Sequence, residues 1–158
     1  MKPTLSLCLI ARNEEQFLAA CLESAREVVD EIVLVDTGSD DATIAIARRF
    51  GARVLEYAWH DDFAAARNRA LAAASGRWML VLDADERLDP AAGRAIRQAL
   101  DEPDWETGYL HFVNIDDGGV EGREWIAPRL YRLEPGMRFI GRMHEQMLHP
   151  RRPVRTRV

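Results

Sequence analysis

The sequence lacks any long apolar run, and it contains only two cysteines. A membrane-spanning helix needs about 20 consecutive apolar residues, whereas the first apolar stretch covers only Leu5–Ile10. That stretch is also too short for the apolar core of a signal peptide with its cleavage site, so we expect a buried strand and a cytoplasmic protein. Cys8 and Cys21 do not form a metal-spaced pair, and we expect both to be buried free thiols.

The sequence also lacks an excess of positive charge. Its formal net charge is -5, and four of its 21 basic residues are arginines in the last eight positions, where no acidic residue occurs. An acidic body argues against nucleic acid as the main partner. The basic tail, residues 151–158, is suited to an anionic lipid surface or a diphosphate, or it is a solvated end. Peripheral contact of the chain with the inner membrane face therefore stays open. Homo-oligomerisation also stays open.

What the sequence does contain is an alternation of strand and helix patterns through its first half. Continuous apolar runs predict buried strands, and apolar residues at helical spacing predict the helices between them. Short connections between such elements imply an α/β fold, with a mostly parallel sheet and helices on both faces. The predicted strands are Leu5–Ala11, Glu31–Asp36, Arg53–Ala58 and Trp78–Leu82. The first two helices between them cover Phe17–Ala25 and Ile44–Phe50, and an alanine-rich third helix opens at Asp61 or Asp62 and ends at Gly76.

The second half has a different pattern. Pro90–Leu100 predicts a helix, and two strands, Gly108–Ile115 and Glu124–Leu133, are expected around the turn Asp116–Gly119. A smaller mixed α+β segment is therefore expected after the parallel sheet.

Polar residues collect where three of the predicted strands end. In an open parallel sheet, ligands bind beyond the carboxyl ends of the strands, so these clusters are expected to converge on one edge. The clusters are Arg12-Asn13-Glu14 after the first strand, Asp36-Thr37-Gly38-Ser39-Asp40 after the second and Asp83-Ala84-Asp85-Glu86 after the fourth.

The last of these clusters contains a pair of acids. On an extended chain the carboxylates of Asp83 and Asp85 face the same side, and the small Ala84 leaves room for a ligand. Two bare carboxylates repel each other, which raises one pKa unless a cation is present. Mn²⁺ or Mg²⁺ would relieve this repulsion and bridge to phosphate oxygens, so we expect a divalent cofactor and a diphosphate at this pair.

Three further residues are candidates for ligand contact, each with a structural alternative. Asp36 could accept hydrogen bonds from a base or a ribose, or it could cap the next helix, a role for which Asp40 or Asp41 is better placed. Asn13 could pair with a base edge, or it could cap the first helix. Arg67 falls on or beside the packed face of its helix, where it needs an anionic partner such as a diphosphate or a strand-end aspartate; a snorkelling surface arginine is the alternative.

Together these motifs resemble family 2 of the glycosyltransferases, the inverting family with the GT-A fold, over about residues 5–90. The likeness is greatest to a bacterial branch that includes lipopolysaccharide-core glucosyltransferases and peptide-modifying transferases. Members of that branch often have a later segment that is similar in sequence to the stretch from Pro128–Arg132 to Gly141–Glu145 here. The matching pieces are Leu9–Glu15, Asp30–Thr43, Ala66–Asn68 and Trp78–Glu86.

The resemblance implies transfer of a sugar from a nucleotide-sugar donor, expected to be a UDP-sugar, to a saccharide, lipid-linked or peptide acceptor. It implies that Asp36 holds the nucleoside, that Asp83 contacts the ribose or diphosphate, and that Asp85 and His144 bind the metal. An inverting transfer also needs a carboxylate to take the acceptor proton, for which Glu145 is the candidate and a surface glutamate the alternative. The nucleotide-sugar-binding residues are then Ala11, Arg12, Asn13, Glu14, Asp36, Arg67, Asp83, Ala84 and Asp85.

The resemblance also implies one GT-A-like domain over residues 1–150, in which 1–90 bind the nucleotide sugar and 91–150 form the acceptor side. Because the catalytic region of this family extends well past 158 residues, a truncated transferase or a non-catalytic nucleotide-sugar-binding or assembly module stays open. Two other enzyme classes are disfavoured. Nucleotidyltransferases have a glycine-rich loop after the first strand, whereas Ala11–Glu14 contains no glycine. Aspartate-based phosphatases have Thr or Val two residues after the second aspartate, where this sequence has Arg87.

Overall fold

The computed structural model describes residues 4–102, 104–116 and 118–149, and it is built around a six-stranded sheet with the strand order β3-β2-β1-β4-β6-β5. The first four strands run parallel, whereas β6 runs antiparallel to both β4 and β5. The strands are β1 (Leu5–Ala11), β2 (Glu31–Asp36), β3 (Arg53–Glu56), β4 (Trp78–Val81), β5 (Thr107–Ile115) and β6 (Glu121–Arg132).

Four helices connect or follow the parallel strands: α1 (Leu18–Ala25), α2 (Thr43–Arg49), α3 (Phe63–Ala73) and α4 (Pro90–Ala99). The carboxylate of Asp62 caps α3 by accepting the backbone N–H of Ala65, and that of Asp89 caps α4 in the same way. Gly51, with φ +75°, lies just beyond α2 in the left-handed region that ends many helices. No helix in the described ranges is both long and apolar enough to span a bilayer.

Each face of the sheet is covered by its own apolar cluster. Because side chains alternate along a strand, Leu5, Leu7 and Leu9 of β1 pack with α1, α2 and α4, while Cys8 packs on the opposite face with α3. Val33, Leu34 and Val35 of β2 divide between the two clusters in the same way. The middle strands are therefore buried on both faces, as their continuous apolar runs predict.

A second, two-stranded sheet lies against α3. It consists of β7 (Arg138–Ile140) and β8 (Gln146–Leu148), which pair antiparallel. The side chain of Asn68 holds β7 as a neighbouring strand would: its Nδ2 donates to the carbonyl of Phe139 at 2.9 Å, and its Oδ1 accepts the N–H of Phe139 at 2.8 Å. This attachment brings the loop between β7 and β8 to the edge of the main sheet where the parallel strands end.

The α/β fold class with a mostly parallel sheet is confirmed, but several boundaries differ from those predicted. The first helix begins at Leu18, so Asn13 is not its cap, and Phe17 is exposed rather than packed. Strand β3 ends at Glu56 instead of Ala58, and β4 ends at Val81. The predicted basic tail lies outside the described residues.

Candidate active site

A cavity of about 590 Å³ opens where the parallel strands end. Its wall is built from the ends of β1 and β2, the loop between β3 and α3, the turn after β4 and the loop between β7 and β8. The residues that line it are Ile10, Ala11, Arg12, Glu14, Thr37, Trp59, Phe63, Arg67, Asp83, Ala84, Asp85, Met143, His144 and Glu145.

Arg67 is a buried cation that joins two acidic segments of this wall. It lies on the packed face of α3, between Ala66 and Ala70, and is only 5% exposed. Its Nη2 donates to Oδ1 of Asp83 at 2.5 Å, and its Nε donates to Oε1 of Glu145 at 3.1 Å. Burial works against the charged form, but the carboxylates of Asp83 and Glu145 outweigh it and raise the pKa of Arg67. A strand-end aspartate is thus the anionic partner of this arginine.

A second arginine completes the neutralisation of Asp83. Nη2 of Arg129 donates to Oδ2 of Asp83 at 3.0 Å and also to the carboxylate of Glu86. Glu86 in turn accepts the backbone N–H of Asp83 at 2.9 Å, which closes a ring of contacts around the turn after β4. Burial favours the neutral form of Asp83, yet Arg67 and Arg129 together hold its pKa below the usual value.

These contacts correct the expected electrostatics of the acidic pair. Asp83 does not depend on a metal for its charge balance, because two guanidinium groups supply it. Asp85 differs: it is exposed, and no hydrogen bond or ion pair to it is found in the described ranges. The residue whose pKa is raised is instead Glu14. Partial burial is the main cause, and repulsion from the charges of Asp85, Asp41 and Asp83 adds to it.

The donor set at this end of the cavity fits an open metal site. No group of three or more His, Cys, Asp and Glu side chains within the described ranges is arranged to hold a metal by itself. Mg²⁺ and similar ions, however, are often bound by one or two carboxylates together with substrate phosphates and water. Asp85 and His144 both line the cavity, and the uncompensated acids near Glu14 favour a cation there.

Backbone contacts position the loop that carries His144 and Glu145. The N–H of Phe63 at the start of α3 donates to the carbonyl of Arg142 at 3.0 Å. The guanidinium of Arg142 donates back to the carbonyls of His60 and Asp61, each at 3.2 Å. His144 adopts φ +54°, a left-handed conformation that is uncommon for a residue with a side chain and that frequently marks functional sites.

The loops after β1 and β2 are bound to each other. The Asn13 carboxamide oxygen accepts the N–H of Asp40, and the N–H of Asn13 donates to Oγ of Ser39, both at 2.9 Å. One oxygen of Asp36, Oδ2, accepts the N–H groups of Gly38 and Ser39, while its Oδ1 is buried and has no hydrogen-bond partner in the described part of the chain. Asn13 and Asp36 support the edge of the cavity but are not part of its lining.

Most of the residues singled out from the sequence meet in this one cavity. They are Ala11, Arg12, Glu14, Arg67, Asp83, Ala84, Asp85, His144 and Glu145. Sequence reasoning missed Arg129 as a partner of Asp83, although the segment Pro128–Arg132 was already part of the family resemblance. It also missed Trp59, in the loop before α3, and Phe63, the exposed first residue of α3, because a single aromatic residue has no distinctive spacing.

Comparisons with known proteins find related sequences and a related fold. The model of the family described as glycosyl transferase family 2 matches residues 6–148. A TPR repeat-containing protein of Synechococcus elongatus is 44% identical over 89% of this chain and 34% of its own length. The lipopolysaccharide core biosynthesis glycosyltransferase LpsC of Rhizobium meliloti is 34% identical over 68% of this chain and 41% of its own length.

Among solved structures, glucosyl-3-phosphoglycerate synthase from Mycobacterium tuberculosis in complex with UDP superposes with a TM-score of 0.55. It is 27% identical over 66% of this chain and 43% of that chain. The present chain therefore spans roughly a third to two fifths of the length of the relatives that it matches.

Proposed function

The chain belongs to glycosyltransferase family 2, and on that premise we propose that it transfers a hexosyl group from a UDP-sugar to an acceptor nucleophile, with inversion and with help from Mn²⁺ or Mg²⁺. The observation that carries the proposal is the cavity at the strand ends, where the turn Asp83–Asp85 and the loop with His144 and Glu145 face the same space. The UDP complex of a structural neighbour that is 27% identical supports the choice of nucleotide.

In this proposal the donor diphosphate lies at the turn after β4. Asp85 and His144 would hold the divalent ion, which supplies positive charge to the departing diphosphate. Arg12 lines the cavity without an ion pair in the described ranges, so its guanidinium is available to phosphate oxygens. Asp83 is held by Arg67 and Arg129, and its role is to contact the donor from a fixed position rather than to bind the metal.

The transfer itself exchanges one bond at the anomeric carbon. An acceptor hydroxyl attacks that carbon, the bond to the diphosphate oxygen breaks, and UDP leaves from the opposite face. Glu145 takes the hydroxyl proton through its second carboxylate oxygen, since Oε1 already accepts a hydrogen bond from Arg67. The same contact fixes the orientation of the Glu145 carboxylate in the cavity.

Release of UDP from a UDP-sugar tests the proposed activity. The chain is incubated with UDP-glucose and Mn²⁺, with and without saccharide acceptors, and UDP is measured over time. We expect slow release from donor hydrolysis, and we expect Glu145→Gln to lower the turnover rate by at least about tenfold, since general-base catalysis typically contributes two orders of magnitude or more. The exposed Glu23→Gln is the matched control and should keep full activity.

The result also separates a transferase from a binding module. A chain that binds UDP-sugars but releases no UDP across a panel of donors and acceptors is a nucleotide-sugar binder, and the proposed transfer would be wrong. A Glu145→Gln variant with unchanged turnover would leave the transferase in place and exclude Glu145 as the base.

A further inference from the structure

We infer that Trp59, Phe63 and Met143 form an apolar wall that binds one sugar ring of a saccharide acceptor beside Glu145. The inference rests on the proposed function and deepens it, because it names the chemical class of the acceptor. All four residues line the cavity at the strand ends. The proposed transfer uses polar residues of this cavity for the donor and the metal, and it leaves the apolar wall without a role.

Helix α3 places the ring of Phe63 next to the candidate base. Phe63 and Arg67 lie four residues apart, so they occupy the same face of the helix about 6 Å apart along its axis. Nε of Arg67 donates to Oε1 of Glu145 at 3.1 Å. The N–H of Phe63 donates to the carbonyl of Arg142 at 3.0 Å, in the loop that carries Glu145. One turn of α3 therefore positions both the base and an aromatic ring beside it.

The loop between β7 and β8 brings Met143 to the same place. Gly141 adopts φ +96°, and a Cβ on it would lie 3.4 Å from the carbonyl oxygen of Met143 and 3.6 Å from Cα of Glu145. The loop is thus folded tightly back on itself. Met143 is 69% exposed, and its side chain lines the cavity two residues before the base. It is therefore placed to contact the molecule from which Glu145 takes a proton.

Trp59 extends the apolar wall, and its indole ring is held by two contacts. Its Nε1 donates to Oδ1 of Asp61 at 2.9 Å, which satisfies the only polar group of the side chain. Its ring meets that of Phe63 edge to face, with centroids 4.8 Å apart. The carbonyl of Asp61 accepts a hydrogen bond from Arg142, which joins this segment to the loop between β7 and β8. An edge-to-face contact occupies one face of one ring, so other ring faces remain for a ligand.

This combination of rings and a carboxylate suits a pyranose ring. A pyranose presents C–H groups on a face and hydroxyl groups around its rim, and C–H groups pack well on the electron-rich face of an aromatic ring. The hydroxyl groups can then donate to the free carboxylate oxygen of Glu145. An alkyl chain at the same place would bury that carboxylate without a partner, which costs free energy. The neighbourhood of the base therefore favours a sugar ring over a lipid chain.

The division of the donor between a saccharide and water tests the inference. The chain is incubated with UDP-glucose, Mn²⁺ and a panel of methyl glycosides and disaccharides, and both the glycosylated product and free glucose are measured. We expect at least one saccharide to compete with water. Phe63→Ala and Trp59→Ala should each lower the ratio of transfer to hydrolysis roughly tenfold, through a higher KM for the saccharide, from the loss of one aromatic contact.

Two further variants separate ring contact from a structural effect. Phe63→Tyr keeps a ring face, so the ratio should stay within about threefold of the unsubstituted chain. Phe17→Ala is the matched control, because Phe17 is also an exposed phenylalanine at the start of a helix but lies outside the cavity lining. It should leave the ratio unchanged.

The inference and the proposed function fail in different ways. An unchanged ratio in both Phe63→Ala and Trp59→Ala, or an equal fall of transfer and hydrolysis, would overturn the inference alone. Hydrolysis of UDP-glucose without transfer to any saccharide of the panel would also overturn the inference and leave the transferase in place. The absence of both transfer and hydrolysis in the unsubstituted chain would overturn the proposed function on which the inference rests.

Discussion

Replacement of Arg67 by methionine should destabilise the fold most strongly at neutral pH. The substitution keeps most of the apolar stem and removes the guanidinium that contacts both Asp83 and Glu145. Loss of one partner from a buried ion pair costs about 3–5 kcal/mol. Asp83 keeps Arg129 at 3.0 Å and its side chain is 41% exposed, so solvent screens part of the loss. We therefore expect less than that range, about 2 kcal/mol, or a fall in Tm of roughly 4–8 °C for a chain of this size.

The pH dependence provides a second signature of the same contact. Arg67 and Arg129 lower the pKa of Asp83 in the folded state, despite its burial, so this contribution is fully present above the unfolded pKa. It is lost as pH falls through the folded value, which lies below the usual range near 3.9. The difference in stability between the unsubstituted chain and Arg67→Met should therefore be largest near pH 7 and should shrink in acid below about pH 4.

Urea unfolding followed by circular dichroism at several pH values measures both effects. Arg69→Met is the matched control, because Arg69 lies two residues away on the same helix but is exposed, and it should change stability by less than about 1 kcal/mol. A free energy of unfolding for Arg67→Met within about 0.5 kcal/mol of the unsubstituted chain would refute the buried network. A stability difference that stays constant into acid would refute its ionic character.

Three other substitutions or modifications test the packing that supports the site. Gly76→Ala should cost about 1–3 kcal/mol in unfolding free energy, because a Cβ there would lie 2.7 Å from Oγ of Ser6; a neutral effect in a urea melt would contradict the close packing. Burial raises the pKa of the thiols of Cys8 and Cys21 to about 12, so both should react with a thiol reagent at pH 8 only on unfolding, and rapid labelling of the folded chain would count against their burial. Asn68→Ala removes two hydrogen bonds to β7 and should lower stability by about 1–3 kcal/mol while it speeds amide exchange in β7; unchanged exchange there would show that other contacts hold this strand.

The parallel half of the fold could be predicted because its middle strands are buried on both faces. Leu5–Ala11 is apolar except for the buried Ser6, Glu31–Asp36 is apolar between its two terminal acids, and the bounds of both runs match the structure. The short strands β7 and β8 could not be predicted, since three residues are too few to show a period. Their position depends on the side chain of Asn68, a tertiary contact that no local pattern indicates.

The candidate site was predictable in composition but not in its charge pairing. Strand ends of a parallel sheet meet at one edge, which is why Asp83 and Asp85 could be placed beside the end of β1 from sequence alone. The partners of Asp83 come from α3 and from β6, and the separation between Asp83 and Arg129 is 46 residues. Only the folded chain shows that two arginines neutralise this aspartate.

The difference between Asp83 and Asp85 follows from that pairing. Asp83 is neutralised within the protein, whereas Asp85 faces the cavity without an ion pair in the described ranges. In the proposed function the two acids of the motif therefore have separate tasks: Asp83 contacts the donor from a fixed position, and Asp85 binds the metal. This division is the central claim of the proposed function.

Calorimetric titration of UDP with and without Mn²⁺, in the unsubstituted chain and in Asp85→Ala, tests that claim most directly. We expect Mn²⁺ to strengthen UDP binding at least about tenfold in the unsubstituted chain, and we expect that gain to disappear in Asp85→Ala while the fold stays intact. UDP binding that is indifferent to Mn²⁺, or an Asp85→Ala variant that keeps the full gain from Mn²⁺, would contradict the assignment of Asp85 to the metal.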